Sequence, residues 1–121
     1  MAKIVIAEDE PDIRQLVLFT LQFAGHTVIP TANGEEALNT VQKVLPELVL
    51  LDIRMPRLSG FEVCRAIKSD PRTQHIPVLF VSAKGQDADI QMGMEAGATD
   101  YVLKPFSPDD LIQRVKNALG K

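Results

Sequence analysis

Three stretches of the chain, Ile4-Val5-Ile6-Ala7, Leu48-Val49-Leu50-Leu51 and Val78-Leu79-Phe80-Val81, are unbroken apolar runs rich in branched side chains, with no alternation of apolar and polar positions. That pattern predicts strands buried on both faces. Two weaker runs, Thr27-Val28-Ile29 and Tyr101-Val102-Leu103, bring the count to about five, and each run is separated from the next by a stretch long enough for a helix.

The separating stretches carry helix punctuation. Pro11 suits a first turn, and Ile13, Leu16, Val17, Leu21 and Ala24 follow at helical spacing until Gly25. Asn33-Gly34-Glu35-Glu36 resembles a capping box ahead of Ala37, Leu38, Val41 and Leu45, and Pro46 stops the run. Ser59 with Glu62 opens a third helix through Val63, Ala66 and Ile67 that ends before Pro71. A fourth, near Gln86 to Ala96, is weakly apolar, contains Gly93 and stops at Gly97, so it should be the least stable. Ser107-Pro108-Asp109-Asp110 caps a fifth carrying Leu111, Val115, Ala118 and Leu119. Strand–helix alternation of this kind predicts an α/β fold: a doubly wound parallel sheet of five strands with helices on both faces and right-handed crossovers.

The chain has 121 residues, which predicts one domain over 1–121 and excludes a two-domain enzyme. With 45% hydrophobic and 24% charged residues it can bury a real core. A net charge of −3 gives no bulk attraction to nucleic-acid phosphates or anionic lipid, so neither is expected as a direct partner. Cys64 is the only cysteine, which rules out a disulfide framework or thiolate zinc site and fits a reducing compartment. The uncharged segment from Gln15 to Gly34 is too interrupted by polar residues, glycine and proline to span a membrane, and Met1-Ala2-Lys3-Ile4 lacks a signal-peptide layout. The expectation is a soluble, cytoplasmic chain.

In doubly wound sheets ligands bind outside the carboxyl ends of the strands, at the point where strand order reverses. The residues at those ends are Glu8 and Asp9, then Asp52, Ser82, and Lys104-Pro105. Converging carboxylates repel: two charges about 4 Å apart cost about 4 kcal/mol at an effective dielectric of about 20. A divalent metal relieves this, and hard oxygen ligands without a His or Cys cluster favour magnesium. An ionised Asp can attack a phosphoryl group to form an acyl phosphate, a step that needs positioning and charge stabilisation more than acid–base work. Metal, the Lys104 ammonium and the Ser82 hydroxyl would complete the set around Asp52.

In order and spacing, Glu8-Asp9-Glu10, Leu51-Asp52-Ile53-Arg54-Met55-Pro56, Ser59-Gly60, Val81-Ser82-Ala83, Gly97-Ala98-Thr99-Asp100-Tyr101 and Lys104-Pro105-Phe106 resemble the receiver domains of two-component response regulators over nearly the whole chain. The resemblance implies a flavodoxin-like strand order 2-1-3-4-5 and an Asp52 that accepts phosphate from a histidine kinase or histidine phosphotransfer protein. It implies magnesium held by Asp9, Asp52 and the Arg54 backbone carbonyl, with Glu8 acting mainly through water. It further implies a cis peptide before Pro105 that aims Lys104. The implied switch moves Ser82 toward the phosphoryl group and turns Tyr101 inward, reshaping the fourth helix, fifth strand and fifth helix for a downstream effector, an output domain or a second copy of the chain. Arg54 and Lys84 occupy the two positions that tune phosphate lifetime in the family. Here both are cationic, so with Lys104 they balance Glu8, Asp9 and Asp52 and should relieve the metal-free site.

Each residue has a plainer reading beside the functional one. Glu8, Asp9 and Glu10 suit a helix N-terminus, where the macrodipole favours negative charge. Asp52 alone could be a turn residue, Ser82 a loop hydroxyl and Lys104 a solvated lysine; their joint pattern favours the site. Tyr101 could be strand packing. Phe19 and Phe23 are expected to pack under the fifth helix, the alternative being a docking face for a phosphotransfer helix pair. Met92 and Met94 are expected to pack inward. The leading function is a phosphoacceptor switch rather than a turnover enzyme. A phosphate-independent interaction module is one alternative. A magnesium-dependent aspartyl-phosphate phosphatase of the haloacid-dehalogenase type is another, weakened because Arg54 stands where that group needs a second Asp.

Overall fold

The computed structural model describes residues 2–83 and 87–120. Along the chain run β1 (Lys3–Ala7), α1 (Pro11–Phe23), β2 (Thr27–Thr31), α2 (Gly34–Val44), β3 (Leu48–Asp52), α3 (Gly60–Ser69), β4 (Val78–Ala83), α4 (Asp87–Glu95), β5 (Asp100–Lys104) and α5 (Pro108–Ala118). The strands form one sheet in the order β2-β1-β3-β4-β5, and every neighbouring pair is parallel. Every predicted strand is present, with its ends moved by a residue or two. One shift bears on chemistry. Asp52, Ser82 and Lys104, expected just beyond their strands, are still paired within them, opposite Val81, Leu103 and Ala83 respectively.

The absence of alternation in the apolar runs has a direct cause. Val5, Ala7, Val49, Leu51, Val78 and Phe80 point to one side of the sheet, where they pack with Ala37, Val41, Val63, Cys64 and Ile67 of α2 and α3. Ile4, Ile6, Leu48, Leu50, Leu79 and Val81 point to the other, against Val17 and Leu21 of α1 and Leu111 and Val115 of α5. A parallel sheet covered on both faces leaves the middle of its central strands apolar, with polar residues only toward their ends, as at Lys3, Asp52 and Ser82.

Local signals hold the helices in place. The Ser59 hydroxyl accepts from the Glu62 amide while the Glu62 carboxylate accepts from the Ser59 amide, the reciprocal box that the sequence suggests. Asn33 and Ser107 accept from Glu36 and Asp110 in the same way. The backbone of Leu45, at φ 49°, closes α2 in the left-handed region, just before Pro46.

Two expectations are overturned. Phe19 and Phe23 do not pack under α5: they are 58% and 89% exposed and form, with Leu16, an apolar stripe along the outer side of α1. Met92 and Met94 are likewise exposed rather than inward. For Phe19 and Phe23 helical spacing identifies a shared face but cannot say which face meets the sheet, and Val17 and Leu21 take that place; Met92 and Met94 flank Gly93, which is the residue turned to the sheet.

At the start of α3 the backbone passes close beneath the end of β3, with the Gly60 amide donating to the Ile53 carbonyl at 2.9 Å. A β-carbon on Gly60 would lie 2.6 Å from the Asp52 carbonyl oxygen and 2.9 Å from the Ile53 Cα. Both obstacles are backbone and cannot rotate away. Gly60→Ala is therefore expected to lower unfolding free energy by about 1–3 kcal/mol despite alanine's better helix propensity, as read by urea denaturation. An alanine variant as stable as wild type would contradict this close fit.

Candidate functional site

The turn after β1, the end of β3 and the end of β5 converge at the carboxyl edge of the sheet. Glu8 is held by its backbone, whose amide donates to the Thr31 carbonyl at 3.1 Å and whose carbonyl accepts from Arg14 Nη1 at 2.8 Å. Its side chain is buried and accepts from the Glu10 amide at 3.2 Å. Asp9 follows at the surface, and Asp52 is buried at the end of β3. Carboxylate oxygens of Glu8, Asp9 and Asp52 all lie within 4.8 Å of one another. From the far side of the sheet order, Lys104 reaches in with Nζ 3.2 Å from Glu8 Oε1 and 3.5 Å from Asp52 Oδ2. Its peptide bond to Pro105 is cis. A cleft of about 280 Å³ opens over these groups, lined by Asp9, Glu10, Asp52, Arg54, Ser82 and Lys104.

An aspartate at the end of a buried parallel strand, an acidic pair after the first strand and a lysine before a proline at the fifth form one constellation. A family model, the response regulator receiver domain, matches residues 4–116. The chain belongs to this family. It is 37% identical over 121 residues to the phosphate regulon regulator PhoB of Rhizobium meliloti, covering all of this chain and 53% of that one. It is 34% identical over 119 residues to the DNA-binding response regulator MtrA of Mycolicibacterium smegmatis, covering 98% of this chain and 51% of that one. The chain thus spans about half the length of these curated relatives. Among solved structures, the chemotaxis response regulator CheY4 of Vibrio cholerae superposes with a TM-score of 0.92 at 34% identity, covering 98% of each chain. The strand order and the five flanking helices of this receiver match that neighbour.

The receiver brings Glu8, Asp9, Asp52, Arg54, Ser82 and Lys104 to one cleft or its border, as the sequence suggests. Lys84 lies outside the described residues. Tyr101 stands apart, half-buried on β5, with the Arg114 guanidinium 5.7 Å from its ring centroid and Arg114 also paired to Asp100 and Asp110. Arg54 departs from the expectation. Its guanidinium is bound to Asp89 of α4, Nη2 to Oδ2 at 2.8 Å, so part of its charge is spent outside the acidic group. Asp89 is the residue that sequence reasoning passed over. It reads as an ordinary acid in a helix first turn, and nothing local ties it to a cation 35 positions earlier.

Of the three cations expected to balance the acids, Lys104 sits among them, Arg54 is bound to Asp89, and Lys84 is outside the described residues. Burial, and then the hydrogen bond and charge of Asp52, raise the Glu8 carboxyl from 4.5 to about 7, against the opposing pull of the Glu10 amide and Lys104. For Lys104 burial works downward, yet the charges of Asp52 and Glu8 outweigh it and leave the ammonium raised. Burial and the neighbouring Asp52 together thus favour a proton on Glu8 even with Lys104 close by. The crowded, hard-oxygen donor set of Glu8, Asp9 and Asp52 fits a divalent cation.

The raised Glu8 value fixes a sign. Folded protein holds this proton to about pH 7 and unfolded chain only to about 4.5, so the stabilisation is complete below pH 4.5 and lost as pH rises through 7. In chelator, wild type is expected to lose on the order of 3 kcal/mol across that window relative to Glu8→Gln. Urea titrations of both proteins at the two ends of the window measure the difference, and parallel curves would refute the assignment.

Proposed function

We propose that residues 1–121 act as one receiver unit, a cytoplasmic phosphoacceptor switch in which Asp52 takes a phosphoryl group from a histidine kinase or histidine phosphotransfer protein. The observation that carries this reading is the buried Asp52 carboxylate facing Lys104 Nζ at 3.5 Å, in a cleft that also contains the Ser82 side chain and a second acid. An Asp52 oxygen forms the new O–P bond while the bond from phosphorus to the donor breaks, and the donor departs with that electron pair. Lys104 holds one phosphoryl oxygen by charge-assisted hydrogen bonding, and the Ser82 hydroxyl donates to another. Asp9 and Asp52 carboxylates with the Arg54 carbonyl, and Glu8 through water, would hold magnesium. When bound, that ion neutralises the carboxylates and the charge on the transferred group.

The chain promotes its own modification and its reversal and turns over no other substrate. Phosphorylation adds charge and acceptor oxygens at the edge where α4 and β5 begin their contacts, which supports Ser82 moving inward, Tyr101 leaving Arg114, and a changed surface on α4, β5 and α5. That surface would engage a downstream effector, an output domain such as the longer relatives carry, or a second copy of the chain. The exposed Leu16, Phe19 and Phe23 stripe supports docking of the donor's helices on α1, the alternative to core packing. Among the described residues no helix is long and apolar enough to cross a membrane.

Intact mass after incubation with acetyl phosphate tests the acceptor. A magnesium-dependent gain of one phosphoryl group in wild type, absent in Asp52→Asn, is the expected result. No gain from acetyl phosphate or from a phosphohistidine donor would overturn the reading in favour of a phosphate-independent module. A second expectation concerns lifetime. Arg54 offers no carboxylate or amide oxygen to orient an attacking water, so phosphorylated Arg54→Asn should lose its phosphate severalfold faster than wild type. Equal decay by the same mass assay would remove Arg54 from that role.

A further inference from the structure

We infer that Asp89 is a positioning residue: by binding Arg54 it holds that guanidinium toward α4 and away from the acceptor, so that the charge state of Asp52 and the seating of α4 are coupled through one ion pair. The inference rests on the phosphoacceptor reading and extends it to a residue outside the acceptor cleft. Arg54 stands two positions after Asp52, and its amide lies 3.4 Å from Asp52 Oδ1, so its backbone is fixed at the acceptor. Its side chain is 71% exposed and leans across a second cleft of about 420 Å³ to Asp89. Asp89 is only 14% exposed, so its carboxylate has given up much of its water and depends on that partner. Asp9 and Asp89 both border the same cleft, which places the Arg54 side chain between the acceptor's acids and the helix.

What α4 lacks makes this contact matter. Its described side chains bury no large hydrophobic residue: Ile90 is half-covered, Met92 and Met94 are exposed, and Gly93 presses its backbone to the Phe80 ring. For a helix seated with so little apolar area, the Arg54–Asp89 ion pair that joins it to the acceptor loop carries more weight than it would on a well-packed helix. A phosphoryl group on Asp52 offers Arg54 a stronger, doubly charged partner, and drawing the guanidinium inward strips Asp89 of its counter-charge. By reciprocity, loosening Asp89 must favour anion binding at Asp52.

The test measures the initial rate of phosphorylation by acetyl phosphate at low ionic strength with magnesium, in wild type, Asp89→Asn, Asp89→Glu, Arg54→Gln and the Arg54→Gln/Asp89→Asn double variant. In each transfer Asp52 oxygen bonds to phosphorus, the bond to the acetyl oxygen breaks, and acetate leaves with the pair. Asp89→Asn is expected to react about two- to fivefold faster than wild type, the range of a partly exposed ion pair, while Asp89→Glu stays near wild type. The acceleration should vanish in the Arg54→Gln background, and amide exchange across α4 should rise in unphosphorylated Asp89→Asn toward that of the phosphorylated wild type. A wild type that reacts while Asp89→Asn matches its rate overturns the inference. So does an acceleration that persists without Arg54, because Asp89 would then act only as a distant negative charge. A wild type that gains no phosphoryl group overturns the acceptor reading itself.

Discussion

Three carboxylates held with oxygens within 4.8 Å of one another would separate if they were free to do so. They are not free. Glu8 is tied through its backbone to β2 and Arg14, and Asp52 is the last paired residue of a strand buried on both sides. Burial and, after it, the nearness of Asp52 raise the Glu8 pKa, and Lys104 reaches inward from the fifth strand to lie between the two acids. Much of the surrounding architecture serves this confinement. The parallel sheet fixes where the strand ends fall, and the helices on both faces remove the water that would otherwise screen them.

The same confinement explains why the fold was more legible in the sequence than the site's electrostatics. Apolar runs without alternation, Ser59 paired with Glu62, and Asn33 ahead of α2 are short-range patterns, and each acts over the distance at which it can be read. Strand-end identity likewise located Asp52, Ser82 and Lys104, because the doubly wound topology turns sequence position into spatial position. Side-chain direction is another matter. Helical spacing grouped Phe19 with Phe23 but could not decide between sheet and solvent, since Val17 and Leu21 form a competing stripe on the same helix. The Arg54–Asp89 pair was illegible for a related reason: a long cation has several acids within reach, and Asp89 lies on a helix whose placement depends on the finished fold.

Lys104 and Arg54 illustrate two uses of a positive charge at one site. The lysine is mostly enclosed and bridges two acids, so its charge belongs to the cleft. The arginine is largely in solvent and is tethered at its tip, so its charge can be shared between the acceptor loop and α4. Net charge alone does not separate these roles; enclosure does.

Gly60 gives the site one unyielding wall. Between α3 and the Asp52 carbonyl there is no room even for a β-carbon, so helix and acceptor strand are packed backbone to backbone. The opposite wall, formed by α4, rests through Gly93 on the Phe80 ring and through Asp89 on Arg54, contacts with side chains rather than with backbone. Load introduced between a stiff abutment and a compliant one is displaced toward the compliant one. The absence of a single β-carbon thus gives the domain a mechanical polarity, stiff toward α3 and softer toward α4.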